Sequence, residues 1–428
     1  MVAMGIRIDL APESHGKRTW LPPACYTLSN SEKRSLCESL RGVKVPHGFC
    51  SNVKRLVSMK DLKLLGLKSH DHHALMQQLL PIAIRGILPK KVRNTISRLC
   101  FFFTAICSKV IDPRVLDDLE KEAAIILCQL EMYFPPAFFD IIVHLIVHLV
   151  SEIRECGPVH LRWMYPFERY MKILKGYVKN TYRPEASIVE RYVAEEAIEF
   201  CSQYFLGKGT LGGKLKNANR EEVLQAHLNI LNNTPEIEPY LDAHKAFIKE
   251  QNPRKNEKWL LNVHNKTFMS WLKYNVTDDA SILVRMLANG PYFDVLGWQG
   301  YDINGYSFYT KEQDDKSTMQ NSGVTLEAEG MHFSSSKDKN FLRATSSYFG
   351  IIEEIWEVDY ITFKIPVFKC KWAGNNGVKV DELGFRLVDL SKLGPRNDQF
   401  IMANMATDDN HGIRGDHGEG IWENVPTI

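Results

Sequence analysis

The chain has 428 residues, of which 44% are hydrophobic and 24% charged, and a formal net charge of +2. The length sets two or three domains as the prior, and the composition is that of an ordinary soluble globular protein. So small a net charge excludes a polycation, so any nucleic-acid contact has to come from a local patch.

The longest apolar run, Ile141–Val150, is too short to span a bilayer and carries two histidines, so it reads as a buried helix. The N-terminus lacks the apolar core of a signal peptide. Nine scattered cysteines without a C-x-x-C pair point to a reduced intracellular protein of the cytoplasm or nucleus, not to a disulfide or zinc framework.

Residues 1–59 read as an extended lead-in with no core of its own, broken by a helix for which Ser29-Asn30-Ser31 offers a cap. Residues 60–205 read as one all-α domain. Ile96, Leu99, Phe103 and Ile106 fall at helical spacing. Asp112-Pro113 caps the next helix, and Asp117, Asp118 and Glu120 load its early turns with acid. Gly157-Pro158 and Arg183-Pro184 separate the last three helices. Residues 206–280 read as a polar, partly helical connector. Its GKGTLGGKLKN stretch lacks the order of a phosphate loop. Residues 281–404 alternate β-rich runs, beginning with ILVRMLANGP, with the turn dipeptides Asn289-Gly290, Asn304-Gly305 and Asn376-Gly377. The expectation is an α+β fold: an N-terminal all-α helical domain followed by a small antiparallel β barrel- or sandwich-like domain. Residues 405–428 read as a disordered tail.

Four groups could carry chemistry. The first is Glu168, a lone acid among Arg162, Arg169, Lys172, Lys175, Lys179 and Arg183. Glu168, Lys172, Lys175 and Lys179 fall on one helix face. That face is either a solvated stripe with an i,i+4 pair or a metal-ligating carboxylate beside phosphate-holding cations. The second is His70-Asp71-His72-His73, which could hold a metal or phosphate, although Asp71 near a helix start is also a capping residue. The third is Asp140, His144 and His148 at i, i+4 and i+8; the H-E-x-x-H pattern of a zinc protease is missing. The fourth is the aromatic content of the β region: Trp298, Tyr301, Tyr306, Phe308, Tyr348, Phe349, Trp356, Tyr360 and Trp372. These favour core packing over a binding platform.

Four long motifs, in order, are SHDHHALMQQLLPIAIRGILP, LEMYFPPAFFDIIVHLIVHLV, GPVHLRWMYPFERYMKILKGYVKN and RPEASIVERYVAEEAIEF. With NEKWLLNVHNKTF and the YFGIIEEIWEVDY–VFKCKW pattern, they make the chain resemble plant CACTA (En/Spm-type) transposon proteins from Met4 to about Asn404. The helical and β-rich parts look like two domains of unknown function that follow the catalytic region there. The resemblance implies a nuclear, magnesium-dependent DNA transposase as parent, with two aspartates and a glutamate holding the metal. Glu168 in YPFERYMK is the candidate for that glutamate, and His70, Asp71 and His73 resemble the acid/histidine motif before it. The family's aspartates lie upstream of the part matched, and MGIRIDLAPESHGKRTWLPPACYTLS looks like the sequence just after them. After FIMAN the chain departs from the family's next strand.

The expectation is therefore a truncated, catalytically inactive transposon-derived protein, without a cofactor of its own and with residual DNA binding through the basic residues. The alternative is a domesticated module that binds a protein partner through its aromatic β domain. Neither a membrane nor a small-molecule substrate is expected.

Overall fold

The computed structural model describes residues 11–46, 50, 52–206, 213–303, 306–332, 342–381, 385–394, 399–406, 412–414 and 419–422. Helices fill the N-terminal half and antiparallel strands dominate the C-terminal part, so the fold is α+β. Among the described residues no helix is long and apolar enough to cross a membrane.

A hairpin of β1 (Glu13–His15) and β2 (Arg18–Trp20) leads to α1 (Asn30–Gly42), which Ser29 and Glu32 start with a reciprocal capping box. Next come α2 (Val53–Leu56) and the strand pair β3 (Val57–Ser58) and β4 (Lys63–Leu64). α3 (Ser69–Ala74) runs through a π-helical turn, Leu75–Leu79, into α4 (Leu80–Ala83). Pro81 lacks an N–H for the Gln77 carbonyl, and the Thr104 hydroxyl donates to that carbonyl instead, at 2.9 Å. The lead-in has no separate core: Cys37, Leu40, Val45, Val53 and Val57 pack with Leu79 and Ala83.

α5 (Lys90–Ile106) and α6 (Leu116–Tyr133) form the helical core with α7 (Ile141–Leu145) and α8 (Leu149–Cys156), the last two joined by a 3-10 turn. Asp112 accepts from the Arg114 N–H before α6, and Gly157, at φ 77, ends α8, both where local signals put them. The apolar run between them is not wholly buried. Ile146 and Val150 enter the core, whereas Ile141, Ile142 and Leu145 stay exposed, because the neighbouring helices cover one side only. α9 (Tyr165–Tyr177) and α10 (Pro184–Leu206) complete the helical part and pack chiefly on each other.

The remainder centres on an open antiparallel sheet, not a closed barrel. Its order is β14 (Phe400–Met402), β11 (Lys364–Trp372), β10 (Leu342–Asp359), β6 (Asp294–Trp298), β5 (Lys214–Asn217), with β9 (Gly323–His332) also on β10. β7 (Gly300–Ile303) and β8 (Tyr306–Tyr309) form a hairpin. The Asn304-Gly305 turn expected there lies outside the described residues.

Residues 220–275, read as connector, form α11 (Arg220–Asn232), α12 (Glu238–Gln251) and α13 (Glu257–Asn275). Val223, Ile230, Leu241 and Phe268 from these helices share a core with Trp356, Val358, Val367 and Phe400. Ile355, Phe368 and Ile401 belong to a second core. Neighbouring residues of a strand point to opposite faces, so the sheet is buried on both sides.

Two turn readings are corrected. Ile282–Asn289 is a helix, α14, because Ser281 caps it and Val284, Leu287 and Ala288 fall on one buried face; Gly290, at φ 86, ends it. Asn376-Gly377 sits in a 3-10 turn and does not join paired strands.

α15 (Lys311–Lys316) precedes β9. A smaller sheet orders β12 (Val378–Val380), β13 (Arg386–Asp389), β16 (Glu419–Trp422) and β15 (Gly412–Arg414). Part of the stretch read as a disordered tail is therefore strand paired with β13; residues 407–411, 415–418 and 423–428 lie outside the described residues. The helical part joins the sheet through the Arg85–Asp381 ion pair, the Phe101–Phe385 ring contact at 5.3 Å and a Val45–Met319 bridge.

His227 on α11 is buried, with Nδ1 2.7 Å from the Tyr360 hydroxyl just past β10. Burial lowers its pKa from 6.5 to about 4. Below pH 6.5 the unfolded chain binds a proton that the folded chain refuses. Stability is thus full above that pH and falls as pH drops toward 4, by up to about 3 kcal/mol from this residue. Urea unfolding across this window should show the midpoint falling, and His227→Gln should flatten the fall. A midpoint that ignores pH contradicts the assignment.

Candidate nucleic-acid interface

The hairpin of α9 and α10 begins at Gly157. A 3-10 turn, Val159–Arg162, and the extended Trp163 turn the chain into α9, whose first turn contains Pro166, where a missing N–H costs nothing. Between the helices, the Asn180 side chain accepts from the Tyr182 N–H at 3.0 Å. The Asn180 N–H donates to the Ser187 hydroxyl at 3.2 Å, and Pro184 opens α10.

Glu195 ties the two helices together. Its carboxylate accepts from the Tyr177 hydroxyl and, at 2.8 Å, from Arg191 Nε. The hydrogen bond from Tyr177, aided by the one from Arg191, lowers the Glu195 pKa, and the same Tyr177–Glu195 bond raises the pKa of Tyr177 against the opposing charge of Arg191. The Arg191 guanidinium lies 6.0 Å from the Tyr177 ring centre, over its face.

Lys172, Ile173, Gly176, Tyr177, Lys179 and Arg191 line an open groove of about 420 Å³. Lys172, Lys175, Lys179 and Arg183 are exposed, as the sequence pattern requires. Arg162 stands apart at the end of the 3-10 turn, 3.9 Å from the Glu152 carboxylate. The side chain of Arg169 lies outside the described residues. Arg191 was not among the sequence candidates, and its signal was a single cation among the acids of α10. The groove can hold a phosphate by charge while Tyr177 offers a ring for stacking.

Glu168 is exposed in the first turn of α9. A magnesium ion takes one or two protein carboxylates and fills its remaining positions with phosphate and water oxygens. Among the described residues no three His, Cys, Asp or Glu side chains are grouped to hold an ion.

The His70-Asp71-His73 motif has a structural use. Asp71 is buried and accepts the Lys68 N–H at 3.0 Å, which starts α3. Burial, then the nearby His70 and His72, lowers the His73 pKa. The His73 ring lies 4.9 Å from Trp163, and His160 meets that indole at 4.8 Å. The fold thus brings this motif to the segment leading into α9.

Asp140 likewise caps α7, accepting from the Ile142 and Val143 N–H groups at 2.9 and 3.1 Å. His144 and His148 are exposed, with their Nε2 atoms 3.3 Å apart. Eight of the nine β-region aromatics fill cores: Phe308, Phe349, Trp356 and Tyr360 are buried, and Trp298, Tyr301, Tyr306 and Trp372 pack partly buried on the second core, while Tyr348 is half-buried on β10.

Two stretches of the chain match family models. Residues 106–220 match a domain of unknown function, DUF4218, and residues 356–408 match another, DUF4216. These two domains are typical of plant transposase-derived proteins. No curated protein and no solved structure matches the chain. The first match contains the whole hairpin and its groove, and the second begins at Trp356.

If Asp71 acts as a cap, Asp71→Ala should lower stability by about 1 kcal/mol or more. Thermal unfolding should show that loss with and without a chelator alike. A loss that appears only when divalent metal is supplied would instead make Asp71 a ligand.

Proposed function

We propose that this chain is a transposon-derived protein of the CACTA (En/Spm) kind that acts by binding DNA in the nucleus and not by cutting it. The single observation that carries this reading is the basic groove on the hairpin, where Lys172, Lys179 and Arg191 surround Tyr177. Lys175 and Arg183 extend the positive charge along the same element. Cations at such a surface release counterions when they meet a phosphate backbone, which gives affinity without base readout.

The near-neutral chain makes this local field the source of the attraction. Glu168 on the same helix then serves as a solvated surface acid, the remnant of a metal-ligating glutamate. The protein-module reading is the weaker one, because the aromatics it needs are spent on the cores.

Affinity for a mixed-sequence duplex, measured by fluorescence anisotropy over a salt series, tests this. Binding should weaken steeply with salt. Lys172→Ala and Lys179→Ala should each weaken it for every sequence alike and reduce the salt slope by about 1. No affinity at low salt, or affinity untouched by both substitutions, overturns the proposal.

A further inference from the structure

The hairpin carries a second surface that the groove does not use. On α10, Arg191, Tyr192 and Glu195 face α9 through Tyr170 and Tyr177. Val189, Val193 and Phe200, at i, i+4 and i+11, make another stripe and are 61%, 56% and 72% exposed. On α9, Phe167 and Met171, at i and i+4, are 59% and 62% exposed. A helix that is apolar on more than one side is normally covered on each. A contiguous exposed apolar surface rimmed by polar residues marks an interaction site.

Charge identifies what covers it. Glu196 stands between Val193 and Phe200 at helical spacing, and Glu185 sits one turn before Val189, so the α10 stripe has an acidic border. Lys175 sits one turn after Met171, and with Lys172 and Lys179 it outnumbers Glu168 on that side, so the α9 stripe has a net basic border. Each helix therefore carries an apolar stripe whose border is opposite in charge to that of the other. A hairpin with this property is complementary to itself under a two-fold axis, with α9 of each copy on α10 of the other.

We propose that the α9–α10 hairpin is a homodimerisation element, seating a second copy of this chain to form a four-helix bundle. The contact is isologous, and apolar burial supplies its affinity while the acidic and basic borders set its orientation.

Sedimentation of the full chain, without DNA, over a range of concentrations tests the proposal independently of any nucleic-acid binding. The parent chain should form dimers. Val193→Asp should weaken the dimer by roughly tenfold or more. Lys175→Glu and Glu196→Lys should each weaken it too, because each places like charges at both symmetric contacts. Mixing these two variants should restore a dimer, since each contact in the mixed pair joins opposite charges. Far-UV circular dichroism checks that the variants are folded; should Val193→Asp not fold, the charge variants carry the test. A chain that stays monomeric, a dimer indifferent to these substitutions, or a mixture that regains nothing overturns the proposal.

Discussion

Strand β10 is the constraint on which the rest of the structure depends. It pairs with β9 along its first half, β6 near its end and β11 on the other edge. Trp356, fully buried on this strand, presses against Phe400 at 5.0 Å while its indole N–H donates to Glu354 at 2.7 Å. Lys216 and Lys369 both lie over the same ring, at 5.7 and 5.5 Å, and both pair with Glu354. Burial alone would raise the Glu354 pKa, but hydrogen bonds from Lys216 and Trp356 and the charge of Lys369 outweigh it and hold the group ionised. One side chain thus joins β5, β10 and β11 and forms the floor on which α11 to α14 pack.

The helical part docks on this frame just past α1, where Lys44 donates to the Asp314 carbonyl, just past α4, where Arg85 meets Asp381 and the Phe385 ring, and through Phe101 of α5. α9 and α10 take little part in that docking and pack chiefly on each other. The placement has a functional consequence. A hairpin that spends few of its side chains on the domain core can offer cations on one side and apolar residues on another.

Signals confined to a few residues were legible in the sequence. Ser29, Asp112, Gly157 and Pro184 mark helix ends in the structure because caps and breakers act locally. What depends on distant partners was not. The helices over 220–275 looked like connector because they are polar on one side and place His227, His244 and His264 where aliphatic residues would advertise a core. His244 and His264 are buried 2.8 Å apart at Nδ1, and burial lowers both pKa values. Ile282–Asn289 looked like strand because its apolar run is short, and only the buried face of Val284, Leu287 and Ala288 settles it. At the candidate site the exposed lysines of α9 were legible from spacing. Arg191 was not, since it reaches the groove only when α10 folds back. Asp71 carried two meanings in the sequence, and its hydrogen bond from the Lys68 N–H supplies the capping one.

DNA binding, as proposed, uses the hairpin and not the aromatic sheet. Hydrogen exchange of the full chain, with and without a DNA duplex at low salt, tests it most directly. Added DNA should slow exchange in peptides covering residues 162–191 and leave the strands around Trp356 unchanged. Protection confined to the sheet, or none in the hairpin, would contradict it.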